Sequence, residues 1–247
     1  MNDFDLSIIL PAFIAGLLVL STHVPLGMKV LQRGIIFADI AVAQIAGLGV
    51  IIAGHTDQQL LIQLYAIVSA LAGAGILTLL EKLKPEIREA SIGLLFVLAA
   101  TGGILLLSHD VHSGEHMQDL LVGQILWVNN TQLIIAGVLS VFILTMLRLF
   151  RNRMGSAVFY TLFALAVTTS VQMVGIYLVF ASLIIPAITS HGVAKFRLPL
   201  AYLVGMLGYT SGLLLSVLRD LPSGAAIVWS MAICGAGLLL LRRMKKL

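Results

Sequence analysis

The sequence predicts an all-α polytopic membrane protein of about nine spanning helices in one domain, and three observations predict it. Hydrophobic residues fill 60% of the 247 positions and charged residues only 11%, a balance far from that of a water-soluble domain. The apolar residues fall into runs of roughly 20, the length that an α-helix needs to cross a bilayer. The charges collect in the short gaps between those runs, so the formal charge of +4 is not a nucleic-acid footprint.

The first run, at about 7–28, follows Met1-Asn2-Asp3-Phe4-Asp5. Acids stand there where a secretory signal carries lysine or arginine, so the run is expected to remain as a span. Further runs lie at about 35–53, 59–80, 90–108, 132–147, 156–173, 175–190, 199–218 and 224–241, each of roughly spanning length. No charge separates the sixth run from the seventh between Ser156 and Ser190, and only Thr168-Thr169-Ser170 and Gln172 suggest a turn. One uninterrupted helix there would make eight spans.

The loops decide between the two counts. Lys29 and Arg33 follow the first span, Lys82, Lys84 and Arg88 the third, and Arg148, Arg151 and Arg153 the fifth. Lys195 and Arg197 follow the seventh, and Arg242, Arg243, Lys245 and Lys246 the ninth. The alternate loops carry Asp57, then Asp110, Glu115 and Asp119, then Asp220, with Arg219 the only basic residue on that side. Basic loops face the cytosol, so the N-terminus is expected outside and the C-terminus in the cytosol, which requires an odd number of spans. Residues 1–247 read as a single transmembrane domain with no soluble domain. No P-loop is present, so the chain is not expected to be an enzyme. Cys234, the single cysteine, excludes an internal disulfide framework and a thiolate metal cluster and reads as a buried space-filler. The small residues of Gly205-Met206-Leu207-Gly208-Tyr209-Thr210-Ser211-Gly212 suit close helix packing, which small residues permit in lipid.

Chemistry concentrates in a few places. The loop after the fourth span holds His109, His112 and His116 with Asp110, Glu115 and Asp119, imidazole and carboxylate donors suited to zinc, manganese or ferrous iron. In a helix His112 and His116 would face one way and Glu115 and Asp119 a neighbouring way; a solvated polar loop is the other reading. Leu121 to Asn130 is too short to span and reads as a helix lying at the outer surface or dipping into it, with Trp127 as an interfacial anchor. Asp39, at the cytosolic start of the second span, is a carboxylate where membrane carboxylates usually mark a pathway or a paired structural site. The alternative has it complementing the helix dipole beside Arg33. Gln44 lies deeper and wants a partner across a helix interface. His23, before Val24-Pro25-Leu26-Gly27, reads as a hydrogen-bonded core residue at a helix break.

Several stretches together resemble the membrane subunit of zinc/manganese/iron ABC importers, the zinc-uptake permease family. Pro25-Leu26-Gly27 with Arg33 and Phe37-Ala38-Asp39 resembles its first-to-second-span passage. Glu89-Ala90-Ser91-Ile92-Gly93 resembles the entry to its fourth span, and Leu121-Val122-Gly123-Gln124-Ile125-Leu126 its short outer helix. The more specific matches are Val174-Gly175-Ile176-Tyr177-Leu178-Val179 leading to Leu183-Ile184-Ile185-Pro186-Ala187, and Asp220-Leu221-Pro222-Ser223-Gly224-Ala225-Ala226-Ile227-Val228. The resemblance implies a homodimeric permease in a bacterial-type inner membrane, with a cytosolic ABC ATPase, an external solute-binding protein, and a divalent zinc, manganese or iron ion as cargo rather than as a resident cofactor.

The sequence also departs from that family. The histidine that commonly follows the second-span acid by four residues is Ala43, a fourth-span histidine is Val97, and the acid of the short outer helix is Gln124. Asp39 alone carries over from the paired ligands, with Gln44 turned by roughly 100° from the missing position. The cytosolic segment that usually carries the ATPase-coupling helix shrinks to Arg148-Leu149-Phe150-Arg151-Asn152-Arg153-Met154-Gly155-Ser156. Docking then falls to Arg148, Arg151 and Arg153, to Lys195 and Arg197 between His191 and Pro199, or to the turn from Glu81 to Glu89. Alternating access at a dimer interface is the expected mechanism, with the His109 to Asp119 loop assisting capture. An ATP-independent channel or regulatory scaffold, and a permease for a metal chelate or another small solute, are the alternatives.

Overall fold

Each apolar run must satisfy its backbone internally in lipid, and the helix does so within one segment. In a computed structural model, which describes residues 6–53, 58–108, 121–150, 154–193 and 195–244, the runs form α1 (Leu6–Arg33), α2 (Ala38–Ala53), α3 (Gln59–Leu80), α4 (Pro85–Leu106) and α5 (Asn130–Leu149). They continue as α6 (Ser156–Val174), α7 (Ile176–Thr189), α8 (Arg197–Arg219) and α9 (Ser223–Met244). Among the described residues seven helices are long and apolar enough to cross a membrane, while α2 and α7 are shorter. The protein is an all-α polytopic membrane protein, and its helices follow the sequence-predicted runs one for one.

Local chemistry sets the helix ends. Asn129 and Gln132 form a capping box that opens α5: Gln132 N–H donates to Asn129 Oδ1 at 2.9 Å, and Asn129 N–H to Gln132 Oε1 at 3.0 Å. Pro85 opens α4, where its missing N–H costs nothing. Arg242 Nη1 donates to Thr189 O at 2.8 Å and so closes the end of α7. The break between α6 and α7 falls at Gly175, whose φ is 78°, and not at the predicted Thr168-Thr169-Ser170 turn. Thr169 instead donates to Leu165 O one turn back, at 3.0 Å, which leaves the helix intact.

α1 also departs from expectation. It runs unbroken through Pro25 to Arg33, so His23 does not stand at a helix break. Proline lacks the N–H that would bond the carbonyl four residues earlier; here that carbonyl, Ser21 O, accepts from Tyr202 Oη of α8 at 3.0 Å. α1 packs against α5, α6, α7 and α8, α2 against α3, α4 and α6, and α9 against α7 and α8. The glycines of α8 permit close packing as expected, Gly208 lying against Met231 and Gly212 against Ile227. Cys234 is half-buried and free, which corrects its reading as a buried filler. Of the predicted short outer helix, Leu121 and Val122 are helical and Ile125–Trp127 form a 3-10 turn among the described residues, with Trp127 78% exposed.

Candidate functional site

The ends of the bundle differ in chemistry. Arg33, Arg88, Arg148 and Arg242 gather at one, called here the basic end; the turn Ile125–Trp127 and the α6–α7 break lie at the other, the far end. Near the basic end, in the first turn of α2, Asp39 is fully buried, and neither carboxylate oxygen has a hydrogen-bond partner among the described residues. The expected pairing with Arg33 does not form.

Arg33 turns elsewhere. Its Nη1 donates to Glu81 at the α3–α4 turn, its Nη2 to Met154 O at 3.4 Å, and its guanidinium sits 4.4 Å from the centre of the Phe159 ring. Arg88 Nη2 donates to Arg33 O at 2.9 Å, and Glu89 Oε1 accepts from Phe37 N at 3.1 Å. This polar knot joins the ends of α1, α3, α4 and α6 and holds the two-turn entry to α2. Glu81 and Glu89 were missed as its members because pairing across tens of residues leaves no periodic trace in sequence. Glu81→Gln leaves Arg33 without a counter-charge and is expected to lower stability by about 1–3 kcal/mol, read as a lower unfolding midpoint in detergent. Glu86→Gln, at an exposed position of the same region, is expected to leave the midpoint unchanged.

Gln44, 9% exposed, lines a cavity of about 610 Å3 with Ile40, Phe96, Tyr177, Phe180 and Trp229. Ile40 and Gln44 stand one turn apart on α2, and Asp39, one residue earlier, points about 100° away from that face. Gln124 lies in a different cavity, of about 410 Å3, near the far end with Gln63, Asn129, Gln132 and Gln172. The structure therefore separates Gln44 from Gln124 and places Asp39 in the lining of neither. Carboxylate and amide oxygens are both donors for hard and borderline cations. Among the described residues, however, no three histidine, cysteine or acidic side chains gather as a metal site.

His23 behaves as a core residue: its Nδ1 lies 3.0 Å from Val19 O and 3.1 Å from Thr22 Oγ1. His109, His112, Glu115, His116 and Asp119 lie outside the described residues, as do Arg151 and Arg153. Arg148 and Lys195 are exposed at the basic end, while Arg197 is half-buried, with Nε and Nη2 sealed and without a hydrogen-bond partner among the described residues.

A helical membrane bundle with a sealed acid near one end and a separate cavity deeper in is the architecture of a transport-type membrane subunit. The chain belongs to the ABC 3 transport family, whose model matches residues 5–159 and 152–242. It is 31% identical over 163 residues to the manganese transport system membrane protein MntC of Halalkalibacterium halodurans, a match covering 57% of this chain and 56% of that protein. The match thus spans little more than half the length of that curated relative. In fold it is similar to PsaBC from Streptococcus pneumoniae, solved in complex with Fab: TM-score 0.72, 22% identity, 95% of this chain and 88% of that one covered.

Proposed function

We propose that the chain is the membrane permease of an ABC importer for a divalent metal cation, with zinc, manganese and iron as the cargo set. Manganese is the first cargo to test, because the relative MntC is named for manganese transport. The observation that carries this reading is Asp39. A carboxylate sealed within a membrane bundle and left without a partner among the described residues is costly to the fold, and it stands where family resemblance expects a pathway acid.

In this reading two copies pair, a cytosolic ATPase docks at the basic end through Arg148, Arg151, Arg153, Lys195 and Arg197, and an external binding protein delivers the ion to the far end. The subunit sits in a bacterial inner membrane with its N-terminus outside, and alternating access carries the ion past Asp39, with Gln44 and Gln124 supplying amide oxygens along the way. The His109 to Asp119 loop assists capture at the mouth. The two family-matched stretches overlap at residues 152–159, across the end of the basic turn and the first turn of α6, where the coupling segment is short. That favours one competing reading, in which the scaffold conducts without ATP.

Radioisotope uptake into proteoliposomes separates the two. With the ATPase and binding protein supplied on opposite faces, ATP-dependent accumulation of manganese or zinc is the expected result. Flux that ignores ATP would replace the importer by a channel, and a stable ATPase complex that moves no metal would change the cargo class.

A further inference from the structure

Three recesses follow one another between α1, α3, α5 and α6. The first is the far-end cavity of about 410 Å3 with Gln63 and Gln172 in its wall. The second, about 40 Å3, shares both glutamines and adds Thr168 and Thr169. The third, about 10 Å3 and so no larger than a single water needs, shares Thr169 with the second and sets Thr22, Ser140 and Ser170 in a wall otherwise apolar, with Leu18, Leu139 and Ile143 among its members. Beyond Thr22 the next polar group is His23, its Nδ1 lying 3.1 Å from Thr22 Oγ1.

The polar groups along this line are short of partners. Thr168 is 2% exposed and its hydroxyl has none among the described residues. Buried Ser140 and Ser170, half-buried Gln63 and exposed Gln172 make no side-chain hydrogen bond among the described residues. Thr22 and Thr169 return a proton to their own helix, to Val19 O at 3.2 Å and Leu165 O at 3.0 Å; Thr169 keeps its acceptor lone pairs free among the described residues, while Thr22 Oγ1 turns one toward His23 Nδ1. A sealed and unpartnered group such as the Thr168 hydroxyl carries a penalty on the order of 1–3 kcal/mol. A recess lined by two to four such groups, with room for at least one probe sphere of about 10–15 Å3, is where buried water is found; apolar cavities stay dry.

We propose that these recesses hold a chain of ordered water that runs from the far end of the bundle to the Thr22–His23 pair, inside one subunit and apart from the cavity at Gln44. The passage brings solvent to the middle of α1, the helix that packs against α5, α6, α7 and α8. It does not depend on which cargo the transporter carries or on whether ATP drives it.

Met173 reports on the passage. It lines all three recesses and is only 2% exposed, whereas Met231 is 0% exposed and lies against Gly208 of α8. The full chain, in lipid nanodiscs equilibrated with oxygen-18 water, is given a millisecond X-ray pulse, and methionine sulfoxide is read by mass spectrometry. Oxygen-18 is expected at Met173 about tenfold faster than at Met231, because radicals form on water held beside the sulfur. Combining Thr168→Val, Ser140→Ala and Ser170→Ala is expected to bring Met173 down to the Met231 rate; Thr168→Val alone serves if the triple variant does not fold. Equal rates at the two methionines in the unaltered chain would overturn the proposal. So would labelling of Met173 that the folded variants leave unchanged, since water would then reach it by opening of the bundle.

Discussion

Asp39→Asn is expected to reduce metal uptake by about tenfold or more, the scale on which losing a charged ligand acts, while the protein assembles at its normal level. The carboxylate is sealed and without a partner among the described residues, so the fold gains nothing from its charge. An amide of the same shape removes the charge and keeps an oxygen donor. Asp39→Leu extends the argument, because it also removes the desolvation penalty of the polar group. It is expected to raise stability by about 1–3 kcal/mol and to abolish uptake. Opposite movement of the two readouts, uptake down and unfolding midpoint up, is the signature of a residue kept for transport. If both fall together, Asp39 is holding the bundle through contacts made on assembly. If neither moves, it leaves the pathway and the dipole-complementing role remains.

How much of this was legible in the sequence differs from residue to residue. The helices among the described residues were, since apolar runs of roughly 20 residues follow from bilayer thickness alone. The α6–α7 break was misplaced because threonine and serine in lipid bond their own helix backbone, as Thr169 does, and so mark no turn. The true break needs a backbone conformation that only glycine adopts readily, and sequence shows that glycine as one of 23. Asp39 was conspicuous, but its isolation was not. Arg33, six residues away, was its natural partner, yet the helix geometry delivers Arg33 to Glu81, 48 positions on. Gln63, Gln172 and Ser140 each interrupt an apolar run visibly. Their convergence on one line depends on α3, α5 and α6 packing side by side, which no local pattern encodes.

Gly175→Ala is expected to harm the fold severely. Gly175 has φ 78° and ψ 164°, a region essentially closed to residues with a Cβ. It also abuts the segment before Ile125: a Cβ at Gly175 would stand 2.4 Å from Gly123 N, and one at Gly123, itself at φ 67°, would stand 2.2 Å from Gly175 N. Both neighbours are backbone, so no side chain can swing aside. Backbone strain of about 1–3 kcal/mol and the forced separation of two main chains add, and the total is expected to exceed about 3 kcal/mol, a large share of a marginal stability. Gly137→Ala provides the contrast. A Cβ there meets nothing within 4 Å on α5, and alanine favours the helix over glycine by about 0.5–1 kcal/mol. Thermal unfolding in detergent should therefore place Gly175→Ala far below the parent chain and Gly137→Ala at or above it. If the two variants unfold alike, the Gly123 and Gly175 backbones separate at little cost. The far-end turn is then free to move relative to the α6–α7 break, and the wall of the far-end cavity is not rigid.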